Sequence, residues 1–95
     1  MKFTNTSRVL VPDGVLIREL EGESVILNLN SESYFGLDDV GTRMWSALTN
    51  SPSIQAAYDN LLAEYDVEPE KLSRDLDSLI EQLVSLGLLE RINGQ

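Results

Sequence analysis

Sixteen carboxylates, one serine in a suggestive triplet and a short aromatic strand are the residues of this 95-residue chain that could do chemistry or bind. There is no cysteine and no histidine. That removes disulfides, thiolate and imidazole metal ligands, cysteine nucleophiles and Ser-His-Asp triads together. Carboxylates remain as possible ligands, yet no stretch has the alternating Asp/Asn spacing and central Gly of a calcium loop. No acids pair in an apolar context that would tune one for acid–base work. The sequence therefore points to no enzyme and no cofactor. Asp77-Ser78-Leu79 has the order of a serine that accepts a phosphopantetheine arm. Such a serine opens a helix near the middle of a helical bundle. Ser78 instead lies inside an uninterrupted helical pattern, with only 17 residues after it.

What remains is binding, and two segments are candidates. The first is Ser33-Tyr34-Phe35-Gly36-Leu37. Strand side chains alternate, so Tyr34 and Phe35 point to opposite faces. Phe35 and Leu37 suit the core, which leaves Tyr34 as the surface candidate. Gly36 suits close approach of another backbone, and equally a bulge or bend before the next helix. The second segment is the last helical stripe. Asp75, Leu79 and Gln82 lie toward one flank of it, Ile80 and Val84 toward the other. Periodicity does not say which flank faces the aromatic strand.

The elements that position these residues follow from pattern. Arg8-Val9-Leu10-Val11 is short, and Pro12-Asp13-Gly14 is a turn triplet. Val15–Leu20 and Ser24–Leu29 read as strands joined by a tight hairpin at Glu21-Gly22-Glu23. Val25, Leu27 and Leu29 share one face. Tyr34–Leu37 is a third, short strand. Asp38 or Asp39 then caps a helix carrying Val40, Met44, Trp45 and Leu48. Ser51-Pro52-Ser53 starts a second helix, with Ile54, Ala57, Tyr58, Leu61, Leu62 and Tyr65 on its apolar face. Pro69 suits the first turn of a third, whose stripe is Leu72, Leu76, Leu79, Ile80, Leu83 and Leu86. Gly87 suits its C-terminal cap, and Leu88–Ile92 returns to the core. The first seven residues read as a frayed arm and the end as a frayed tail. The expectation is one α+β domain over 1–95, ordered over about 8–92. Its architecture is winged helix-turn-helix-like: a three-stranded antiparallel sheet, then three helices stacked on it. The third strand is expected to be the open edge.

Charge limits the partners. The net charge is −9, and residues 59–90 hold nine acids against Lys71 and Arg74. A nucleic-acid phosphate backbone is repelled by that half. The fold type also occurs in DNA-binding proteins, but a recognition helix presents Lys, Arg, Asn or Gln to the groove. This one carries Glu70, Asp75, Asp77 and Glu81. No apolar run approaches the roughly 18 residues that span a membrane, and Met1–Arg8 lacks the apolar core of a signal peptide. The cytoplasm is the expected location.

Several segments taken in order resemble the PqqD-like family, named for a pyrroloquinoline-quinone biosynthesis protein. They are Val25-Ile26-Leu27-Asn28-Leu29, Ser33-Tyr34-Phe35-Gly36-Leu37-Asp38, Val40-Gly41, Trp45, Asp75-Leu76, Leu79-Ile80, Leu83 and Leu86-Gly87-Leu88-Leu89. The likeness runs over about residues 8–92. The family includes the stand-alone recognition proteins of lasso-peptide pathways. The resemblance implies a winged helix-turn-helix that binds the leader segment of a ribosomally made precursor peptide. The leader would add as a strand to the third strand, pack against the third helix, and be presented to processing enzymes. A lasso-type member would work with a leader peptidase and a cyclase, and a PqqD-type peptide chaperone with a radical-SAM enzyme. The lasso type is the favoured assignment. Asp75 matches a family position, which selects its flank. The implied peptide-binding residues are Ser33, Tyr34, Phe35, Gly36, Asp75, Leu79 and Gln82. A general protein–protein adaptor is the plainer alternative.

Overall fold

The structure, a computed structural model, describes residues 7–92. The expected arm over 1–6 and tail over 93–95 lie outside the described residues. Four strands come first: β1 (Arg8–Leu10), β2 (Val15–Leu20), β3 (Glu23–Asn28) and β4 (Ser33–Leu37). Three helices follow: α1 (Asp39–Asn50), α2 (Ile54–Glu64) and α3 (Pro69–Ser85). β5 (Glu90–Ile92) closes the order.

β2, β3 and β4 form an antiparallel sheet in that spatial order. The β2–β3 hairpin closes on Glu21-Gly22, both left-handed at φ 54° and 86°. Two left-handed central residues make the turn whose twist matches the flanking strands. Ile17, Ile26 and Phe35 face each other in register across the sheet, pointing inward. Trp45 of α1, Leu83 of α3, Leu88 and Leu89 pack on Ile26 and Leu37 to make one core cluster. Met44 and Leu48, with Ile54, Leu61, Leu72, Leu76 and Ile80, make a second cluster among the helices. Val9 and Leu79 touch both. The α+β, winged helix-turn-helix-like architecture is thus present, with the helices covering one face of the sheet.

The helix starts follow their caps. Asp38, not Asp39, caps α1: its Oδ1 accepts the Gly41 N–H at 2.7 Å. Ser53 caps α2 by accepting the Ala56 N–H at 3.0 Å. Pro69 opens α3, where its missing N–H costs nothing. Gly87, left-handed at φ 75°, ends it.

Three local expectations are corrected. Ser7 is not frayed: it is 1% exposed, and its carbonyl accepts the Ile54 N–H at 2.7 Å. Residues 90–92 do more than return to the core, because β5 pairs antiparallel with β1 as a separate two-stranded sheet. Ile80 is no flank residue but fully buried. Val25 and Leu27 share one face of β3, as the alternation implies, and it is the sheet's outward face. The inward face is Ser24, Ile26 and Asn28, all buried.

Candidate functional site

β4 is an edge of its sheet: β3 occupies one side and no described strand occupies the other. Half of an edge strand's N–H and C=O groups therefore point away from the ladder, available to an incoming backbone. β2 is the opposite edge. What distinguishes β4 is that the groove beside it is walled by α1 and α3. A depression of about 480 Å³ runs between the end of β4, the first turns of α1 and one side of α3. Its apolar surface comes from Phe35, Leu37, Val40, Met44 and Leu79, and its polar rim from Asp38, Asp75, Ser78 and Gln82.

Of the residues singled out in the sequence, Phe35, Gly36, Asp75, Leu79 and Gln82 meet in this groove. The flank of α3 that faces β4 is therefore the one carrying Asp75, Leu79 and Gln82. Ser33 and Tyr34 do not line it. Ser33 pairs with Asn28 at the far end of β4, and Tyr34 projects from the outward face, 69% exposed. Leu37, Asp38, Val40, Gly41, Met44 and Ser78 line the groove without having been singled out as site residues. Val40 repeats at helical spacing with Met44, Trp45 and Leu48, sits one turn before Met44 and is 42% exposed. Its spacing is that of a core residue, and only the end of β4 beneath it shows that nothing covers it.

Gly36 is informative because the fold does not demand it. It pairs with Val25 in unbroken register, so no bulge is present. A Cβ built there would meet nothing within 4 Å. Within the described residues, its bareness serves no internal contact.

The groove's polar groups are held by neighbours on their own helix. Lys71 Nζ pairs with Asp75 Oδ2 at 2.8 Å. Gln82 Nε2 donates to Ser78 Oγ at 3.1 Å. Ser78 lies in the interior of α3, not at a helix start as an arm-bearing serine requires. The Arg43 guanidinium donates three hydrogen bonds of 2.7–3.0 Å to both carboxylate oxygens of Glu64. These bonds lower the Glu64 carboxyl below its ordinary value and push the Arg43 guanidinium further up. They tie α1, which forms one groove wall, to the end of α2. Asn28 ties the sheet to the end of α3. Its Nδ2 donates to the Gly87 carbonyl at 2.8 Å, and its Oδ1 accepts the N–H groups of Asn30 and Ser31. Among the described residues, no group of three or more acids is placed to hold a metal ion. No helix among them is long and apolar enough to cross a membrane.

An open strand edge beside an apolar groove suits an extended peptide, bound through main-chain hydrogen bonds and pockets for alternate side chains. The comparison with known families bears on this geometry: residues 23–89 match the model for coenzyme PQQ synthesis protein D (PqqD). The chain belongs to the PqqD family. The matched stretch runs from the start of β3 through Leu89 and so contains the whole groove. Among solved structures, the PqqD-family fold recurs in TbiB1 in complex with the TbiA(beta) leader peptide. That chain is 36% identical, with a TM-score of 0.77, over 84% of this chain and 93% of the other. It recurs also in lasso peptide synthetase B1 complexed with the leader peptide, at 22% identity and a TM-score of 0.77. There it spans 87% of this chain and 98% of the other, and at that identity the likeness is one of fold. No curated protein matches the chain.

Proposed function

We propose that this PqqD-family protein binds the leader segment of a ribosomally synthesised precursor peptide and presents it to processing enzymes. The leader adds as a strand along the outer edge of β4 and packs against α3. Phe35, Gly36, Asp75, Leu79 and Gln82 contact it in the groove. Tyr34 and Ser33 contact it only at the outward face and at the start of β4. The observation that carries this reading is the juxtaposition of an unpaired β4 edge with an apolar groove containing a glycine that no internal contact requires. The leader-bound state of the 36%-identical TbiB1 supports it.

In this reading the protein is a single, non-catalytic recognition domain. It works in the cytoplasm, where ribosomal precursors are made. Its enzyme partners are a leader peptidase and a ring-forming cyclase, the pairing that the lasso-type resemblance implies. A radical-SAM partner is the alternative within the family.

The test is a fluorescence-polarisation titration with leader peptides from short open reading frames beside the chain's own gene. Saturable binding that is lost on scrambling the leader is the expected result. A folded protein that binds none of them sinks the leader reading and leaves a general adaptor.

A further inference from the structure

The groove beside β4 has a charge as well as a shape. Its carboxylates are Asp38, at the start of α1, and Asp75, on α3, and both residues are exposed. Among the described residues, no lysine or arginine lines it. Past Val40 and Met44 the groove adjoins a second depression of about 170 Å³, walled in part by Tyr65, Leu72 and Lys71. Asp75 lines both depressions and so stands where they meet. Lys71 reaches it from the second one, with Nζ 2.8 Å from Asp75 Oδ2.

That internal pair is loosely held. A lysine four residues before its carboxylate is the weaker of the two helical orders. The Lys71 side chain is 62% exposed and that of Asp75 49%, so water screens their attraction. A peptide strand laid along β4 changes the setting. It covers the groove and strips water from both carboxylates. Asp38 keeps one partner, because its Oδ1 accepts the Gly41 N–H. A carboxylate that loses water without gaining a cation is costly. An apolar or acidic side chain laid over Asp75 incurs that cost, and the net charge of −9 adds to it for an acidic peptide. A lysine or arginine removes it, and the pair strengthens as water leaves.

We propose that the groove selects a cationic leader, one whose lysine or arginine takes Asp75 over from Lys71. This rests on the leader-binding reading above and adds the chemical class of the leader. The same leader face carries an apolar side chain seated on Val40, Met44 and Leu79. Strand alternation then sets the cation and the apolar residue an even number of positions apart. Lys71 is an internal competitor for Asp75, and unpaired acids are the means of rejecting the wrong peptide.

The test is a fluorescence-polarisation titration of the full chain with the leader encoded beside its gene. Each leader lysine or arginine is replaced singly by glutamine, and the protein is compared with Asp75→Asn and Lys71→Met. One leader substitution is expected to lower affinity about tenfold, the scale of a charge-assisted hydrogen bond. Asp75→Asn is expected to cost about the same, and the two changes together no more than either alone. Lys71→Met is expected to tighten binding about two- to threefold by removing the competitor. The leader substitutions leave the protein untouched, so they decide the matter even where a variant folds poorly. Saturable binding that no lysine or arginine substitution weakens overturns the proposal and leaves the leader-binding reading standing. Losses that multiply in the combined pair, or weaker binding by a folded Lys71→Met, overturn the exchange at Asp75. A wild type that binds no leader overturns the leader-binding reading first, and this proposal with it.

Discussion

Gly36 and Asn28 show how two small residues divide between function and fold. A side chain at Gly36 meets no neighbour, and the backbone there is ordinary extended strand. Gly36→Val is therefore expected to keep or slightly raise the thermal midpoint, because β-branched residues suit strands. Leader affinity is expected to fall by about tenfold if the gap serves a leader side chain, by analogy with a single overpacked contact. Unchanged affinity would show that the gap is not used. Asn28 is the converse. Its amide makes three hydrogen bonds between β3, the following turn and the Gly87 carbonyl. Asn28→Ala leaves those groups without partners and is expected to cost about 1–3 kcal/mol in urea unfolding. Leader binding should survive at low denaturant. Leu79 cannot make this separation, because it packs on both core clusters as well as lining the groove.

At the scale of elements, β4 is the strand on which the mechanism depends. Strand addition uses every second main-chain group of the incoming peptide. A leader N-methylated at one residue at a time should therefore lose affinity with a period of two. Each sensitive position should cost about 1 kcal/mol, roughly fivefold. A flat profile would exclude strand pairing while leaving groove binding intact. The Arg43–Glu64 pair holds α1 against α2 and is pH-sensitive. The Arg43 hydrogen bonds lower the Glu64 carboxyl in the folded state relative to the unfolded chain. Its stabilisation is complete above the ordinary glutamate range and is lost as pH falls through the lowered folded value. Both side chains are partly exposed, at 36% and 40%, so solvent keeps the effect small. The urea midpoints of wild type and Glu64→Gln should differ near pH 7 and converge as the pH falls below the ordinary glutamate range.

For the whole molecule, the charge of −9 acts at every scale of approach. Self-repulsion destabilises the compact state, and salt screens it. Raising NaCl from about 20 to about 200 mM is expected to raise the thermal midpoint by a few degrees. A fall would mean that attractive pairs such as Arg43–Glu64 and Lys71–Asp75 outweigh the repulsion. The same charge predicts no mobility shift of duplex DNA even at low salt, despite the winged helix-turn-helix-like form.

The three strands of the main sheet, the helices, the caps and the closing Gly87 were legible in the sequence because each depends on residues within one turn or one hairpin. Alternation, 3.6-residue periodicity and capping side chains act over that range. So did the exclusion of thiol and imidazole chemistry, which needs only a residue count. The candidate residues on β4 and α3 were legible one by one, and their family likeness joined them in a list. Tertiary structure decided how they meet. It turned the Asp75–Leu79–Gln82 side of α3 toward β4, left Tyr34 and Ser33 outside the groove, and opened Val40 to it. It also paired β1 with β5, whose partnered residues lie at opposite ends of the described chain. It turned the more apolar side of β3 outward while burying Asn28 and Ser24. Local pattern could not settle that last point, because alternation defines two faces without saying which is covered. That choice belongs to Trp45, Leu83, Leu88 and Leu89, which arrive from distant parts of the chain and pack on Ile26.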